Sequence, residues 1–283
     1  MKLGIFTRTW SGMDLDEIFN QMEIFNLHLT QFKMTCVGQP TIPSRHDESA
    51  IKKIEDACKN HNVDIVAISG TFNLVDPNKR RLHENIKNFK ILCEIAQRLN
   101  VPIITLCTGT KDEENMWKFH PDNNSKEVWS EMSHHLEKLL KYAQKYNIIL
   151  GIEPETSNVI NSAIKAKKLL CHIQSDYLKI IMDGANLFHP GQKAQIKDIL
   201  EEAFCLLGND IALVHAKDLA YNEGISYVAA GKGVLDYKTY ICLLKKYKYK
   251  GPLIMHGLSP DQISDSIKFL KENINAIFKE TGN

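Results

Sequence analysis

The 283-residue chain carries 35 basic and 34 acidic side chains, so its formal net charge is only +1. This balance excludes the strong attraction that draws proteins to nucleic acids or anionic membranes, and no apolar run is long enough to cross a bilayer. Seven scattered cysteines without a CxxC pair argue against a disulfide framework or a thiolate zinc site. We therefore expect a cytoplasmic protein that acts on a small molecule.

Eight short apolar runs that favour strands recur along the chain, and each is followed by a segment with helical periodicity. The predicted strands are Leu3–Trp10, His28–Thr35, Asp64–Leu74, Pro102–Gly109, Ile148–Glu155, Leu178–Phe188, Ile211–Leu219 and Pro252–Leu258. The predicted helices are Asp14–Asn26, Glu48–Asn60, Lys79–Leu99, Ser125–Tyr146, Ser162–Ile173, Lys193–Leu207, Tyr237–Lys246 and Asp261–Phe278. Strict alternation predicts a parallel sheet, and the length favours a single-domain (β/α)8 TIM barrel over residues 1–283.

An open, doubly wound sheet is the main alternative for eight such units. Sheets of that kind usually carry a glycine-rich phosphate loop after an early strand, whereas here Gly4 is followed only by Gly12. We therefore favour the closed barrel. The irregular stretches Cys36–Asp47, Lys111–Asn124 and Ala220–Gly233 each follow a strand, so they are expected to surround the active-site end.

The last four predicted strands each carry one polar residue where the apolar run ends. These residues are Glu153, Asp183, His215 and His256, at intervals of roughly 30 to 40 residues. One such residue alone is more often a helix cap or an ion-pair partner, but four on consecutive strands should converge at the barrel mouth. Two carboxylates and two imidazoles predict a site for one divalent metal ion, either manganese, zinc, cobalt, iron or magnesium.

Four segments resemble signature stretches of the xylose isomerase-like TIM barrel superfamily. They are Gly151-Ile-Glu-Pro-Glu155, Ile181-Met-Asp-Gly-Ala-Asn186, Val214-His-Ala-Lys-Asp218 and Gly231-Lys-Gly-Val-Leu-Asp236. That superfamily includes ketose 3-epimerases, hydroxypyruvate isomerase, inosose dehydratase and endonuclease IV. The resemblance implies a metal held by Glu153, Asp183 and His215, with a glutamate usual at the fourth position.

The fourth position departs from that pattern, because the last strand ends in His256. In the epimerases of this superfamily, two metal-bound glutamates flank the substrate and exchange its α-proton. The departure leaves two roles open for His256, a fourth metal ligand and a second acid/base, and both would use the same nitrogen.

Further candidates for catalysis and substrate contact surround this set. Glu155 shares a strand side with Glu153 and is a candidate extra base, while Lys217 bears the same relation to His215. Lys217 is expected either to stabilise an enediolate or bind an anionic group, or to pair structurally with Asp218 or Glu155.

Two other groups of residues are candidates for the walls of a substrate site. Asn186 and His189 follow Asp183 where related enzymes often place a histidine that touches substrate or metal. Trp117 and His120 lie in the loop after the fourth strand, which either closes over a polyol or packs onto the rim. The end of the first strand, with Thr7, Arg8 and Trp10, is a further candidate wall.

The resemblance implies a metal-dependent isomerase or epimerase that acts on a keto-sugar or polyol through an enediolate. An inosose dehydratase-like lyase and a non-catalytic sugar-binding relative are the alternatives. A phosphodiesterase is disfavoured, because the second and third strands end without the histidines that a trinuclear zinc cluster needs, and the basic surplus is missing. Relatives often form dimers or tetramers, so the resemblance also implies a homo-oligomer.

Overall fold

Within residues 1–221 and 224–279, which the computed structural model describes, eight parallel strands form a closed ring. The ring strands are β1 (Leu3–Phe6), β2 (Leu29–Phe32), β3 (Asp64–Ser69), β4 (Ile103–Leu106), β5 (Ile149–Ile152), β6 (Leu178–Asp183), β7 (Ile211–Tyr221) and β9 (Leu253–Met255). A ninth strand, β8 (Ile225–Ala229), lies outside the ring. Neighbours in the ring follow chain order, with β9 closing it between β7 and β1. The predicted single-domain (β/α)8 barrel is thereby confirmed, while its span of 1–283 stays a prediction.

In the same described residues, an α-helix follows each ring strand. The helices are α1 (Leu15–Ile24), α2 (Glu48–Asn60), α3 (Lys79–Arg98), α4 (Lys126–Tyr146), α5 (Ala163–Ile173), α6 (Ile196–Leu207), α7 (Tyr237–Lys246) and α8 (Ile263–Lys279). Several of these helices start at side-chain caps: Asp14 forms a capping box with Glu17, and Ser125 accepts from the backbone of Val128. The α6 segment was predicted from Lys193, but its first three residues form a separate 3-10 turn.

The barrel interior closes below the polar end with an apolar plug. Phe6, Ala67, Ile181, Leu213 and Ile254, from strands around the ring, pack together and are buried. β5 approaches this plug through Gly151, where an added Cβ would come within 2.2 Å of Ile181 Cδ1. The plug gives the polar strand ends above it a rigid, dry floor.

A hairpin extends the seventh strand beyond the sequence prediction. β7 runs to Tyr221 and pairs antiparallel with β8, which places Leu219 opposite Tyr227. The segment was predicted as irregular loop from Ala220, because its alternating pattern is only five residues long. The predicted irregular stretch Ala220–Gly233 includes residues 222 and 223, which lie outside the described residues.

Asp218 explains the Gly231–Asp236 motif in structural terms. Its buried carboxylate accepts four backbone N–H groups, from Leu219, Gly231, Gly233 and Leu235. Both oxygens are therefore fully used to hold the return of the hairpin against β7. This assigns Asp218 to the architecture around the site and leaves its neighbour Lys217 free to face the barrel mouth.

Replacing Asp218 by asparagine should lower the free energy of unfolding by about 2–4 kcal/mol, because an amide nitrogen cannot accept and leaves two buried N–H groups unpaired. Urea unfolding of the variant beside wild type measures the loss. Asp265→Asn, at an exposed ion pair with Lys232, is the matched control and should change stability by less than about 0.5 kcal/mol. Equal effects of the two substitutions would contradict this role.

Candidate metal and substrate site

The four predicted metal ligands converge at the C-terminal end of the barrel. One donor atom from each of Glu153, Asp183, His215 and His256 lies within 4.8 Å of the other three. Glu153, Asp183 and His215 are buried, and His256 is partly buried. The structure thus brings the four residues together as the sequence predicted: Glu153 and His256 directly follow β5 and β9, Asp183 ends β6, and the parallel register places His215 of β7 opposite Asp183.

Three of these donor atoms make no hydrogen bond among the described residues, although Lys217 Nζ forms an ion pair with one of them, Asp183 Oδ2, at 3.1 Å. They are Asp183 Oδ2, His215 Nδ1 and His256 Nδ1, and all three are buried. Buried polar atoms are usually satisfied, and leaving one unpaired costs on the order of 1–3 kcal/mol. A divalent cation between them would satisfy all three at once, so the residues present fit such an ion.

The charges around His215 also favour a cation at this position. Its Nδ1 lies 3.3 Å from Glu153 Oε1 and 3.4 Å from Asp183 Oδ2. Burial lowers the pKa of His215, but the two carboxylates outweigh burial and raise it to about 9. A positive charge is therefore strongly favoured at this point, and a metal ion would replace the proton that supplies it.

Gln31 orients the His215 ring and was missed by the sequence analysis. Its Oε1 lies 2.8 Å from His215 Nε2, and its amide nitrogen donates to Thr105 Oγ1 at 3.3 Å. Because an amide oxygen can only accept, Nε2 keeps its proton, and Nδ1 would present its lone pair to a metal ion that replaces the second proton. The available signal was a glutamine next to Thr30 in the short strand β2, both of which are buried in the structure.

Replacing Gln31 by leucine should weaken metal binding by roughly 10- to 100-fold, since His215 loses the acceptor that fixes its tautomer. Gln31→Glu keeps an acceptor and should stay within a few fold of wild type. Titration with a metal-buffered indicator measures both, and Gln144→Leu on the exposed face of α4 controls for the substitution itself. Wild-type affinity in Gln31→Leu would show that the orientation does not matter.

His256 lies beside both His215 and the aromatic ring of Phe6. The ring centroids are 5.0 Å and 5.3 Å away, respectively. Burial lowers the pKa of His256, so the ring is neutral and can donate a lone pair to a cation. Its Nδ1 is 3.7 Å from Asp183 Oδ2, which places that nitrogen inside the cluster.

A hydrogen-bond network joins the cluster to Glu155 and Lys217. Asn186 Nδ2 donates to Glu153 Oε1 at 2.8 Å and to Glu155 Oε1 at 2.7 Å, and its Oδ1 accepts from Lys217 Nζ. Lys217 Nζ also lies 3.1 Å from Asp183 Oδ2. The structural pairing of Lys217 expected with Asp218 or Glu155 is therefore corrected: its direct partners are Asp183 and Asn186.

The charges of this network are set by mutual contacts. Burial lowers the pKa of Lys217, but Asp183 and Glu155 more than compensate, so its ammonium stays charged. Burial raises the pKa of Glu155 to about 8, with Lys217 opposing the rise. Lys217 Nζ also lies 4.0 Å from the ring centroid of Tyr227, so the unpredicted hairpin strand β8 covers this cation.

A cavity of about 1050 Å³ opens above the cluster. Its lining includes the predicted residues Glu153, Glu155, Trp117, His189, Lys217 and His256, together with Arg8. It also includes Gln31, Lys33 and Tyr227, which the sequence analysis did not assign to substrate binding. The volume is at the upper end for a small-molecule site, and the lining mixes apolar rings with a few polar groups.

Other predicted residues lie away from the cavity surface. Asn186 is buried beneath it, where it contacts both glutamates. His120 is absent from the described lining, and its Nδ1 accepts from the backbone of Asp122 to cap a 3-10 turn. Trp10 is buried in the core, so Arg8 is the part of the first-strand wall that reaches the cavity.

Comparisons with known proteins agree with this architecture. A sequence profile of the xylose isomerase-like TIM barrel family matches residues 23–273. Inosose dehydratases from Glaesserella parasuis serovar 5 (strain SH0165) and Histophilus somni (strain 129Pt) are 21% and 20% identical over 163 and 161 residues, each 50% of this chain. These matches cover 52% and 51% of the relatives, so the chain spans about half the length of the curated relatives it matches.

Solved structures match over nearly the whole chain. A D-tagatose 3-epimerase-like protein gives a TM-score of 0.76 at 16% identity, with 100% of both chains covered. The 3-keto-D-glucoside 4-epimerase from E. coli gives 0.73 at 18% identity, covering 96% of this chain and 99% of that one. The IOLI protein with a bound zinc atom gives 0.71 at 15% identity, with 99% of each chain covered.

At these identities the solved structures establish the fold alone, whereas the profile match covers most of the chain. No helix within 1–221 and 224–279 combines the length and apolarity needed to cross a membrane. The predicted resemblance is confirmed by the profile, by the closed ring of strands and by the cluster at their ends. The chain belongs to the xylose isomerase-like TIM barrel family.

Proposed function

We propose that the protein is a divalent-metal-dependent isomerase or epimerase of a keto-sugar or related polyol. The observation that carries this proposal is the cluster of Glu153, Asp183, His215 and His256 at the cavity floor, in which three buried donor atoms make no hydrogen bond. A divalent ion bound there supplies Lewis-acid polarisation of a carbonyl group. The proposed ion is manganese, zinc, cobalt, iron or magnesium, and the zinc reported for the similar IOLI protein supports such a site.

Glu155 is the proposed base that removes the α-proton, with Glu153 as the alternative. Both line the cavity, but Glu155 lies outside the four-residue cluster, so its carboxylate stays available to the substrate. Asn186 holds Oε1 of each carboxylate at hydrogen-bond distance and thereby fixes their direction. A positioned carboxylate of this kind typically contributes 10²- to 10⁴-fold to a proton transfer.

Lys217 is the proposed stabiliser of the negative charge that develops as the proton leaves. Its Nζ lines the cavity, is held by Asp183 and Asn186, and keeps its charge despite burial. A fixed cation in a water-poor site stabilises an enediolate more than a neutral ground state. Trp117, His189 and Tyr227 form the walls proposed to hold the rest of the substrate. His120, which caps a turn outside the cavity lining, is not part of these proposed walls.

The fate of the proton decides the reaction class. Return to the adjacent carbon isomerises, return to the opposite face epimerises, and loss of a β-hydroxyl dehydrates. The local likeness to two inosose dehydratases favours dehydration as the second candidate. A non-catalytic sugar-binding role is the remaining alternative, because His256 stands where related epimerases carry a glutamate.

The test uses untagged protein, its metal content measured by plasma mass spectrometry, and a panel of ketoses and inososes in deuterated water. We expect about one equivalent of metal and metal-dependent deuterium incorporation beside the carbonyl, detected by NMR. Water loss from an inosose in place of exchange would assign the lyase. A metal-loaded protein that binds sugars but gives neither exchange nor product would overturn the enzymatic proposal.

We also propose a cytoplasmic location and a homo-oligomeric state for the protein. All seven cysteines are free in the structure, which supports a reducing compartment such as the cytoplasm. Homo-oligomerisation stays a prediction from the resemblance, and size-exclusion chromatography with light scattering tests it.

A further inference from the structure

Two cations without ion-pair partners line the cavity at its rim. Arg8 follows β1, Lys33 follows β2, and both belong to the cavity lining. Within residues 1–221 and 224–279, neither side chain lies within 4.0 Å of a carboxylate, unlike Lys217 at the floor. The backbone N–H of Lys33 donates to Thr7 Oγ1 at 3.1 Å, which ties the two rim segments together.

The two rim cations lie across the cavity mouth from the carboxylates that line it. The lining carboxylates in the described residues are Glu153 and Glu155, and both follow β5. β5 lies four strands from β1 in the eight-stranded ring, so the carboxylates and the rim cations are on opposite sides of the mouth. The acidic, proton-exchanging end and the basic end therefore face one substrate from two sides.

We propose, on the basis of the proposed function, that the substrate carries an anionic group, a phosphate or a carboxylate, which Arg8 and Lys33 bind at the β1–β2 rim. A guanidinium matches either anion through two parallel N–H bonds, and a neighbouring ammonium adds a point charge. The cavity of about 1050 Å³ has room for such a group beyond the carbonyl-bearing carbons. A neutral monosaccharide would leave both cations without a partner.

The geometry also orients the substrate. Phe6, the last residue of β1, lies two positions before Arg8 and packs against His256, so the anionic end lies on the His256 side of the cluster. The carbon that loses its proton then lies toward Glu155, across the mouth. The anionic group is therefore distant from the reacting carbonyl, as in a keto-sugar with a terminal phosphate or carboxylate.

Binding of inorganic phosphate and of acetate, measured by isothermal titration calorimetry, tests this site without any substrate. Arg8→Ala and Lys33→Ala should each weaken anion binding at least tenfold, because each removes a charged hydrogen-bond donor. The matched controls are Arg80→Ala and Lys52→Ala, which remove the same charges from exposed helix surfaces. The anion that binds tighter, phosphate or acetate, identifies the class.

The same titration on Asp183→Asn separates rim binding from binding to the metal. Anion binding that survives this change and still depends on Arg8 and Lys33 supports the inference, even if no ketose is turned over. Absent binding in wild type, or equal binding in the Arg8→Ala/Lys33→Ala and Arg80→Ala/Lys52→Ala double variants, overturns it. That result would leave the metal-dependent reaction intact, since metal content and exchange are measured separately.

Discussion

Replacing Asp183 by asparagine is expected to remove the metal ion and, with it, at least about a thousandfold of turnover, which corresponds to roughly 4 kcal/mol. Asp183 Oδ2 is the central atom of the site, 3.1 Å from Lys217 Nζ, 3.4 Å from His215 Nδ1 and 3.7 Å from His256 Nδ1. An amide offers a neutral ligand and turns its NH₂ group toward cations. Plasma mass spectrometry and the deuterium-exchange assay measure the two losses.

The same substitution should cancel the stabilisation that metal gives. Metal at 100 to 1,000 times its dissociation constant stabilises a folded protein by about 3–4 kcal/mol, which wild type should show as a rise in melting temperature. Asp183→Asn should melt at one temperature with or without metal. Asp56→Asn, on the exposed surface of α2, should respond like wild type. One equivalent of metal retained in Asp183→Asn would refute the assignment of Asp183 as a ligand.

The convergence of the ligand set could be predicted because it depends on strand order alone. In a closed parallel barrel, the residue that ends each apolar strand must reach the same rim, whatever the loops do. Glu153, Asp183, His215 and His256 each end such a run or lie directly after it. Their spacing therefore predicted the cluster without any knowledge of side-chain directions.

Contacts made by loops and by strand interiors could not be predicted in this way. His120 and Trp117 lie three residues apart in one loop, yet one caps a turn and the other lines the cavity. That outcome depends on distant partners, such as Asn158, whose Nδ2 donates to the carbonyl of Met116, directly before Trp117. Gln31 likewise gains its role from a histidine 184 positions away in sequence.

The ion-pair partner of Lys217 could not be predicted from the sequence either. The sequence suggested Asp218 or Glu155 as the ion-pair partner of Lys217. In the structure, however, both carboxylate oxygens of Asp218 accept backbone N–H groups, and the side chain points away from the site. Adjacent strand residues face opposite sides, so the side chains of Asp218 and Lys217 point apart and do not pair with each other. Lys217 faces the barrel interior beside Asp183 of the neighbouring strand, as parallel pairing of β6 and β7 requires.

Glu155→Gln should keep the metal ion and lose about 10²- to 10⁴-fold in deuterium exchange, because the amide retains the hydrogen bond from Asn186 but cannot accept a proton. Metal content and exchange rate are measured on the same preparation. Retained metal with lost exchange assigns the base to Glu155, whereas unchanged exchange transfers the role to Glu153.

The matched control for Glu155 is Glu127→Gln, an exposed glutamate in the first turn of α4, which should leave exchange unchanged. Glu155→Asp keeps a carboxylate on a shorter arm and should recover part of the rate, since proton transfer needs both an acceptor and reach. A purely structural role for Glu155 predicts a different order: Glu155→Gln, which preserves size and the Asn186 contact, would then be more active than Glu155→Asp. The ranking of these two variants therefore separates catalysis from packing at this residue.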